Sequence, residues 1–206
     1  MMRIFRISST LCAILLITCS TALARPVPPL EGLEALRKVL AGITDFSADM
    51  TQEKKLSVMK RTLKMSGTVR FRKPDQFYMA LNPPHATRMV LNDAVIEQAN
   101  DRQEGHTRVV LPPEQGLKQW FSKLSVPVTS LPADFDISAD LTNSLYTLKI
   151  APRGTGQIRE VGISFLADGT IKRMVIVERN GDKATMTFKN PRRNSGLTDR
   201  DFQLTP

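Results

Sequence analysis

The stretch Lys64-Met65-Ser66-Gly67-Thr68-Val69-Arg70-Phe71-Arg72, continued by Lys73-Pro74-Asp75-Gln76-Phe77-Tyr78-Met79-Ala80-Leu81, decides the fold. Met65, Gly67, Val69 and Phe71 alternate with Lys64, Ser66, Thr68, Arg70 and Arg72, which is the two-residue period of a strand with one dry and one wet face. Pro74 and Asp75 turn the chain, and Phe77, Met79 and Leu81 resume the apolar stripe. Upstream, Phe46, Ala48 and Met50 alternate with Ser47, Asp49 and Thr51. Downstream, Met89 and Leu91 follow the Asn82-Pro83-Pro84 break. Alternation of this kind predicts antiparallel sheet packed on one face only.

The C-terminal third repeats the pattern. Tyr146, Leu148 and Ile150 alternate with Thr147 and Lys149, and Val161, Ile163 and Phe165 run into Asp168-Gly169. That dipeptide and Asn180-Gly181 are strong hairpin signals, with the strand Ile171 to Val177 between them and Ala184, Met186 and Phe188 beyond. Phe202 and Leu204 suggest a final strand. Residues 100–144 break the alternation. There, after Pro112-Pro113, Leu117, Trp120, Phe121 and Leu124 fall at i, i+3, i+4 and i+7, the spacing of a short amphipathic helix. Another helix opens the domain after Pro28-Pro29. Leu33, Leu36, Leu40 and Ile43 share one face, Glu31 and Glu34 lie early, Arg37 and Lys38 late, and Gly42 is a stop. The expected architecture is mainly β with helices (α+β). A single curved antiparallel sheet forms an unclosed barrel, with an N-terminal helix and a helical lid insertion over its apolar face.

Arg3 and Arg6, the apolar run Leu11 to Ile17, and Ala22-Leu23-Ala24 read as a secretory signal cleaved after Ala24. Leu16-Ile17-Thr18-Cys19 loosely matches a lipidation box, but threonine before the cysteine fits it poorly, so cleavage after Ala24 is the reading preferred. The domain then spans residues 25–206, in the periplasm. Cleavage removes Cys12 and Cys19, the only cysteines, and two arginines from a formal charge of +9. No disulfide or thiolate metal site is then possible in the mature chain. The basic balance suits anionic surfaces or acidic partners.

The residues for chemistry are scarce. His85 and His106 have no partner at metal-ligand spacing. Gly154-Thr155-Gly156 lacks the third glycine of a nucleotide loop. Asp134, Asp136 and Asp140 hint at a calcium loop, but Ala139 stands where such a loop turns on glycine and Leu145 where it ends on glutamate. The aromatics lie on apolar stripes rather than among basic residues, which argues against nucleic acid. No enzyme activity, metal or cofactor is expected.

What remains is the dry face, and its surroundings resemble a known family. Phe46-Ser47-Ala48-Asp49-Met50-Thr51-Gln52 is similar to the F-x-A-x-F-x-Q signature of the LolA family of periplasmic lipoprotein carriers. Gly67 through Phe77, with Lys73-Pro74 inside it, resembles that family's G-x-l-x-x-x-R-P-x-x-F segment. Pro83 and Met89-Val90-Leu91-Asn92-Asp93 are similar to its P-x-x-x-x-x-x-v-x-D-G run, and Ala167-Asp168-Gly169-Thr170-Ile171 and Phe202-Gln203-Leu204-Thr205-Pro206 to its close. Two positions depart from it: Lys73 replaces the arginine, and Ala94-Val95-Ile96-Glu97-Gln98 follow Asp93 in place of an aromatic-rich strand.

The resemblance implies a monomeric carrier of acylated lipoprotein or another acylated lipid, running from an inner-membrane exporter to an outer-membrane receptor. Its cavity would be lined by Met50, Met65, Val69, Phe71, Phe77, Met79, Met89, Leu91, Leu117, Trp120, Phe121, Leu148, Ile163 and Met186. Lys73 would latch the lid. The five methionines among these suit a wall that adapts to varied chains. The other reading is an envelope regulatory or structural protein that docks a partner on the same face or senses mislocalised lipoprotein.

Overall fold

The computed structural model describes residues 24–100, 103–113 and 116–204, with the side chains of Gln103, Glu104, Trp120, Lys123 and Leu124 excepted. The expected leader, Ala24 apart, and the Cys19 alternative lie outside the described residues.

Alternating segments pair in register along the chain. The elements are β1 (Arg25–Val27), α1 (Pro29–Ala41), β2 (Asp45–Leu56), β3 (Arg61–Arg72), β4 (Gln76–Leu81), β5 (Thr87–Asn92), β6 (Val95–Asn100) and β7 (Gln103–Val110). Then come α2 (Leu117–Leu124), β8 (Phe135–Thr142), β9 (Leu145–Pro152), β10 (Ile158–Leu166), β11 (Ile171–Glu178), β12 (Lys183–Arg193) and a 3-10 helix, Asp199–Phe202. They form one 12-stranded sheet in the order β1-β8-β9-β10-β11-β12-β2-β3-β4-β5-β6-β7. The two edges, β1 and β7, do not meet, so the sheet curls without closing. Beside the long central β2–β3 hairpin, β12 pairs with β2 and joins the two halves.

The hairpins expected at Asp168-Gly169 and Asn180-Gly181 are present, and both glycines hold positive φ. Three expectations need correction. The stretch 100–144 is not free of sheet, because it contains β7 and β8. Most of β7 lacks apolar residues because it is an edge strand exposed from Gly105 to Val110. In β8, Phe135, Ile137, Ala139 and Leu141 do alternate, while Asp136 and Asp140 sit at the opposite parity, so the faint calcium loop is strand. Asp136 is ion-paired with Arg153 at 2.7 Å. Lastly, Phe202 belongs to a 3-10 helix rather than a final strand. It is buried on the outer face against Tyr78 and Val90.

Helix α1 starts at Pro29 behind Pro28 and ends at Gly42. Leu33, Leu36 and Val39, with Ile43 just beyond, are buried in one cluster with Val27, Phe46, Ala48, Met50, Val69, Ala139, Leu148 and Phe165. Gly32 lets the helix lie directly on β8 and β9, since a Cβ there would collide with that of Ala139 and stand 3.2 Å from Leu148 Cδ1.

Candidate functional site

Strand registers align the dry face into a continuous row across the sheet. On β2 and β3, Phe46, Ala48 and Met50 sit opposite Phe71, Val69 and Gly67. Phe77 and Met79 on β4 then oppose Leu91 and Met89 on β5, and Leu91 opposes Ile96 on β6. In the other direction Met186 pairs with Met174, Met174 with Ile163, Ile163 with Leu148, and Leu148 with Ala139. All eleven sheet residues expected to face the cavity lie on this row.

They are not equally accessible. Met50 is 1% exposed, Val69 4% and Leu148 0%, sealed in the cluster that α1 covers. Phe71, Phe77, Met79, Ile163 and Met186 pack against that cluster while half-buried. Met65, Met89 and Leu91 are also half-buried but lie beyond the cluster, on the flank of the sheet that α1 does not cover. A groove of about 630 Å³ between α1 and the β10–β11 turn, with Glu34, Tyr146 and Arg193 in its walls, lies off the row. Another of about 610 Å³ touches the row only at Gln52 and Met65.

Helix α2 is seated at the other end of the row, held by groups from four elements. The Phe121 ring stacks on Phe71 with centroids 4.9 Å apart. At its N-terminus, Leu117 N donates to the Asp93 carbonyl at 3.3 Å and Lys118 N to the Asp93 carboxylate at 2.9 Å. Asp93 therefore caps α2 from a distance in sequence, holding φ +51° in the β5–β6 turn to do so. Lys118 Nζ lies 3.1 Å from the Asp75 carboxylate in the β3–β4 turn. Beyond the helix, Val128 N donates to the Glu34 carboxylate of α1 at 3.1 Å. Glu34 also accepts a bidentate pair from Arg37. The Arg37 bonds foremost, and the Val128 N–H next, hold the Glu34 carboxyl down at about 2 against an ordinary 4.5. The role of Asp93 could not be read from spacing, because 23 residues lie between it and the helix it caps.

Lys73 follows Arg72 at the end of β3. Its ammonium donates to the Leu40 carbonyl and, at 3.4 Å, to that of Ala41, both at the C-terminal end of α1. Carbonyls at the negative end of a helix are good partners for a cation. The same ammonium lies 5.7 Å from the Phe121 ring centroid. Lys73 thus joins α1 to α2, and its burial between them lowers its pKa. Among the described residues no three His, Cys, Asp or Glu side chains group as metal ligands. No helix among them is long and apolar enough to cross a membrane.

Comparison with known proteins agrees with this architecture. The family described as outer membrane lipoprotein carrier protein LolA matches residues 41–205. No curated protein matches. Among solved structures, an uncharacterised conserved protein of Thermus thermophilus superposes with a TM-score of 0.50 at 14% identity, over 85% of this chain and 93% of that one. The MucA/MucB complex of Pseudomonas aeruginosa contains a chain similar at TM-score 0.50 and 12% identity, over 84% of this chain and 60% of that one. A LolA superfamily protein of Nitrosomonas europaea aligns over 86% and 98% at 8% identity, with a TM-score of 0.45. Identities this low speak to fold alone. The family match spans most of the sequence, including the Phe46–Gln52 strand, the Gly67–Phe77 segment and the closing Phe202–Leu204, and by it the chain belongs to the LolA family.

Proposed function

We propose that this protein is a periplasmic carrier that takes the acyl chains of lipoproteins, or of another acylated envelope lipid, onto the apolar row beneath α2. It would move them from the inner to the outer membrane. The observation that carries this reading is the row itself, apolar from β8 to β6 save where Gln52 stands opposite Met186, and covered by two helices of unequal grip. Helix α1 is part of the core. Helix α2 is held by one aromatic stack, one remote cap, one cation over a ring and the surface ion pair of Lys118 with Asp75.

Magnitudes support the difference. The stack is worth about 0.5–1.5 kcal/mol, the cap about 1 and the cation over the ring about 0.5–2. Removing an acyl chain of about 14 carbons from water returns on the order of 11 kcal/mol, at ~0.8 per CH₂. The return exceeds the sum of these three contacts that hold α2, whereas α1 is sealed into the buried core cluster. The same arithmetic explains why an acylated cargo needs a dry container to cross an aqueous compartment.

The test is titration with a lysophospholipid below its critical micelle concentration. Trp120 is the only tryptophan and belongs to α2. Saturable binding by calorimetry with a parallel change in indole emission is expected. Absence of binding would sink the carrier reading. Binding with an unchanged emission would place α2 outside the site.

Lys73 gives a second expected outcome. As a latch, it favours the closed state that cargo must open. Replacing it with leucine removes the cation over the Phe121 ring, worth about 0.5–2 kcal/mol in the closed state, so cargo should bind about twofold to thirtyfold tighter and leave more slowly. Transfer of bound lipid from Lys73→Leu to acceptor vesicles at the wild-type rate would end the latch.

Docking of a protein partner on the same face is the second reading. The fold shared with a chain of the MucA/MucB complex favours it. Under it, lysolipid would not bind.

A further inference from the structure

The β2–β3 hairpin exposes two large apolar side chains at its turn. Its turn is Ser57-Val58-Met59-Lys60, and Val58 is 87% exposed and Met59 66%. Such turns are ordinarily built from glycine, asparagine or aspartate. Here Lys60 holds φ +49° without that chemistry. The tip is nonetheless firmly placed. Lys60 N donates to the Ser57 carbonyl at 3.3 Å, and Ser57 N to the Asp182 carboxylate of the β11–β12 turn at 2.8 Å. On its free flank β3 runs six residues past the end of β4, because Gly67 is the residue opposite Leu81. At about 3.3 Å per residue that is a projection of ~20 Å.

The collar of this tip is cationic. Residues 53–64 contain Lys54, Lys55, Lys60, Arg61 and Lys64 against a single acid, Glu53. Lys64 faces Glu53 at 3.4 Å and Lys54 faces Glu178 at 3.7 Å, whereas Lys55, Lys60 and Arg61 are exposed around the apolar tip. Two exposed apolar side chains alone make a weak anchor, and so does a short basic cluster. Together they supply the two signals that stable interfacial binding requires.

We propose that the Ser57–Lys60 tip docks the protein on an anionic lipid bilayer, Val58 and Met59 entering the interface while Lys55, Lys60 and Arg61 contact lipid phosphates. This surface is separate from the apolar row and does not depend on what the row carries. An anionic bilayer offers both complements at once, phosphates at the headgroup level for the cations and an apolar interior for Val58 and Met59.

Co-sedimentation with vesicles tests this without any cargo. The chain as expressed from its full gene is mixed with phosphatidylcholine vesicles or with a phosphatidylcholine–phosphatidylglycerol mixture. Any apolar N-terminal segment is common to all variants, so differences between them isolate the hairpin. Wild type should bind the anionic mixture, less so as salt rises, and bind neutral vesicles poorly. Each basic residue near an anionic surface adds about a fivefold factor, so Lys60→Ala/Arg61→Ala should lower partitioning about thirtyfold. Val58→Asp/Met59→Asp, at a solvent-exposed turn where folding is insensitive to side chain, should abolish it. Equal binding of all three proteins to both vesicles would overturn the proposal, as would wild type that stays in the supernatant with the anionic mixture. Lysolipid titration of the tip variants should be unchanged, which separates this failure from failure of the carrier reading.

Discussion

Replacing Gly67 with alanine is expected to destabilise the fold by about 3 kcal/mol or more, the largest single effect of one added methyl group in this chain. A Cβ at position 67 would lie 2.9 Å from the Ala80 carbonyl carbon and 3.0 Å from Leu81 Cα, and closer still to the Ala80 oxygen. Those are backbone atoms of β4, so no side-chain rotation relieves the contact. The strand itself would have to move, and with it the pairing of Val69 with Met79 and Phe71 with Phe77. Gly162 provides the control. It is also a buried strand glycine, but a Cβ there meets Val175 Cβ at an ordinary 3.5 Å. Gly162→Ala should be within about 1 kcal/mol of wild type. Urea denaturation of the two variants measures the contrast, and similar midpoints would show that β4 yields where the geometry says it cannot.

Asp45 is the second site of large effect. It is 4% exposed and its two oxygens accept three hydrogen bonds from the start of the C-terminal segment. One oxygen takes Ser195 N at 2.8 Å and Ser195 Oγ at 3.0 Å, and the other takes Gly196 N at 2.9 Å. Burial pushes the carboxyl up, but the Ser195 and Gly196 N–H groups and the Ser195 hydroxyl outweigh it and hold the pKa below the ordinary range. From this anchor the chain crosses to the outer face. There Arg70 and Arg72 donate to the carbonyls of Asp201 and Leu197, and Phe202 is buried. Asp45→Ala leaves three donors unmet and should cost about 2–4 kcal/mol. Asp45→Asn should cost nearly as much, because its amide sets a donor against the Gly196 N–H. Chemical denaturation, with hydrogen exchange along residues 196–204, reads both the loss and its location. Wild-type exchange in either variant would remove Asp45 as the anchor.

The pH dependence has a definite sign. Asp45 and Glu34 both have folded pKa values below their unfolded ones, so each contributes stability that is complete above the ordinary carboxylate range. That stability is lost as pH falls through the folded values, down to about 2 for Glu34. Acid should therefore loosen the C-terminal segment and the Val128 tether of the stretch after α2 together.

Several elements were legible in the residues alone because one physical pattern governs each. Alternation placed β2 to β5 and β9 to β12. The dipeptides Asp168-Gly169 and Asn180-Gly181 marked two turns, and the apolar spacing of Leu33, Leu36, Leu40 and Ile43 marked α1. The row of Met50, Val69, Phe71, Phe77, Met79 and Met89 follows from the same parity, since a side chain two residues on faces the same side. Where local preference and role diverge, the reading failed. Most of β7 is polar because no neighbour covers it. The β2–β3 turn was missed because Val58 and Met59 do not look like turn residues. Phe202 looks like strand but is used as a plug.

By itself, then, the sequence determined which face of each strand is dry, where the chain must turn, and that the domain is one-sided sheet with amphipathic helices, because burial parity is a local property of the chain. Tertiary structure alone decided which helix became core and which a cover. Helix α1 lies down on β8 because Gly32 meets Ala139 across 107 positions, and α2 is held by Asp93, Asp75 and Phe71 from three other elements. It also decided that Lys73 reaches the carbonyls of Leu40 and Ala41, and that Asp45 holds Ser195 and Gly196. These are contacts between residues far apart in the chain, and their partners become neighbours only when the sheet curls.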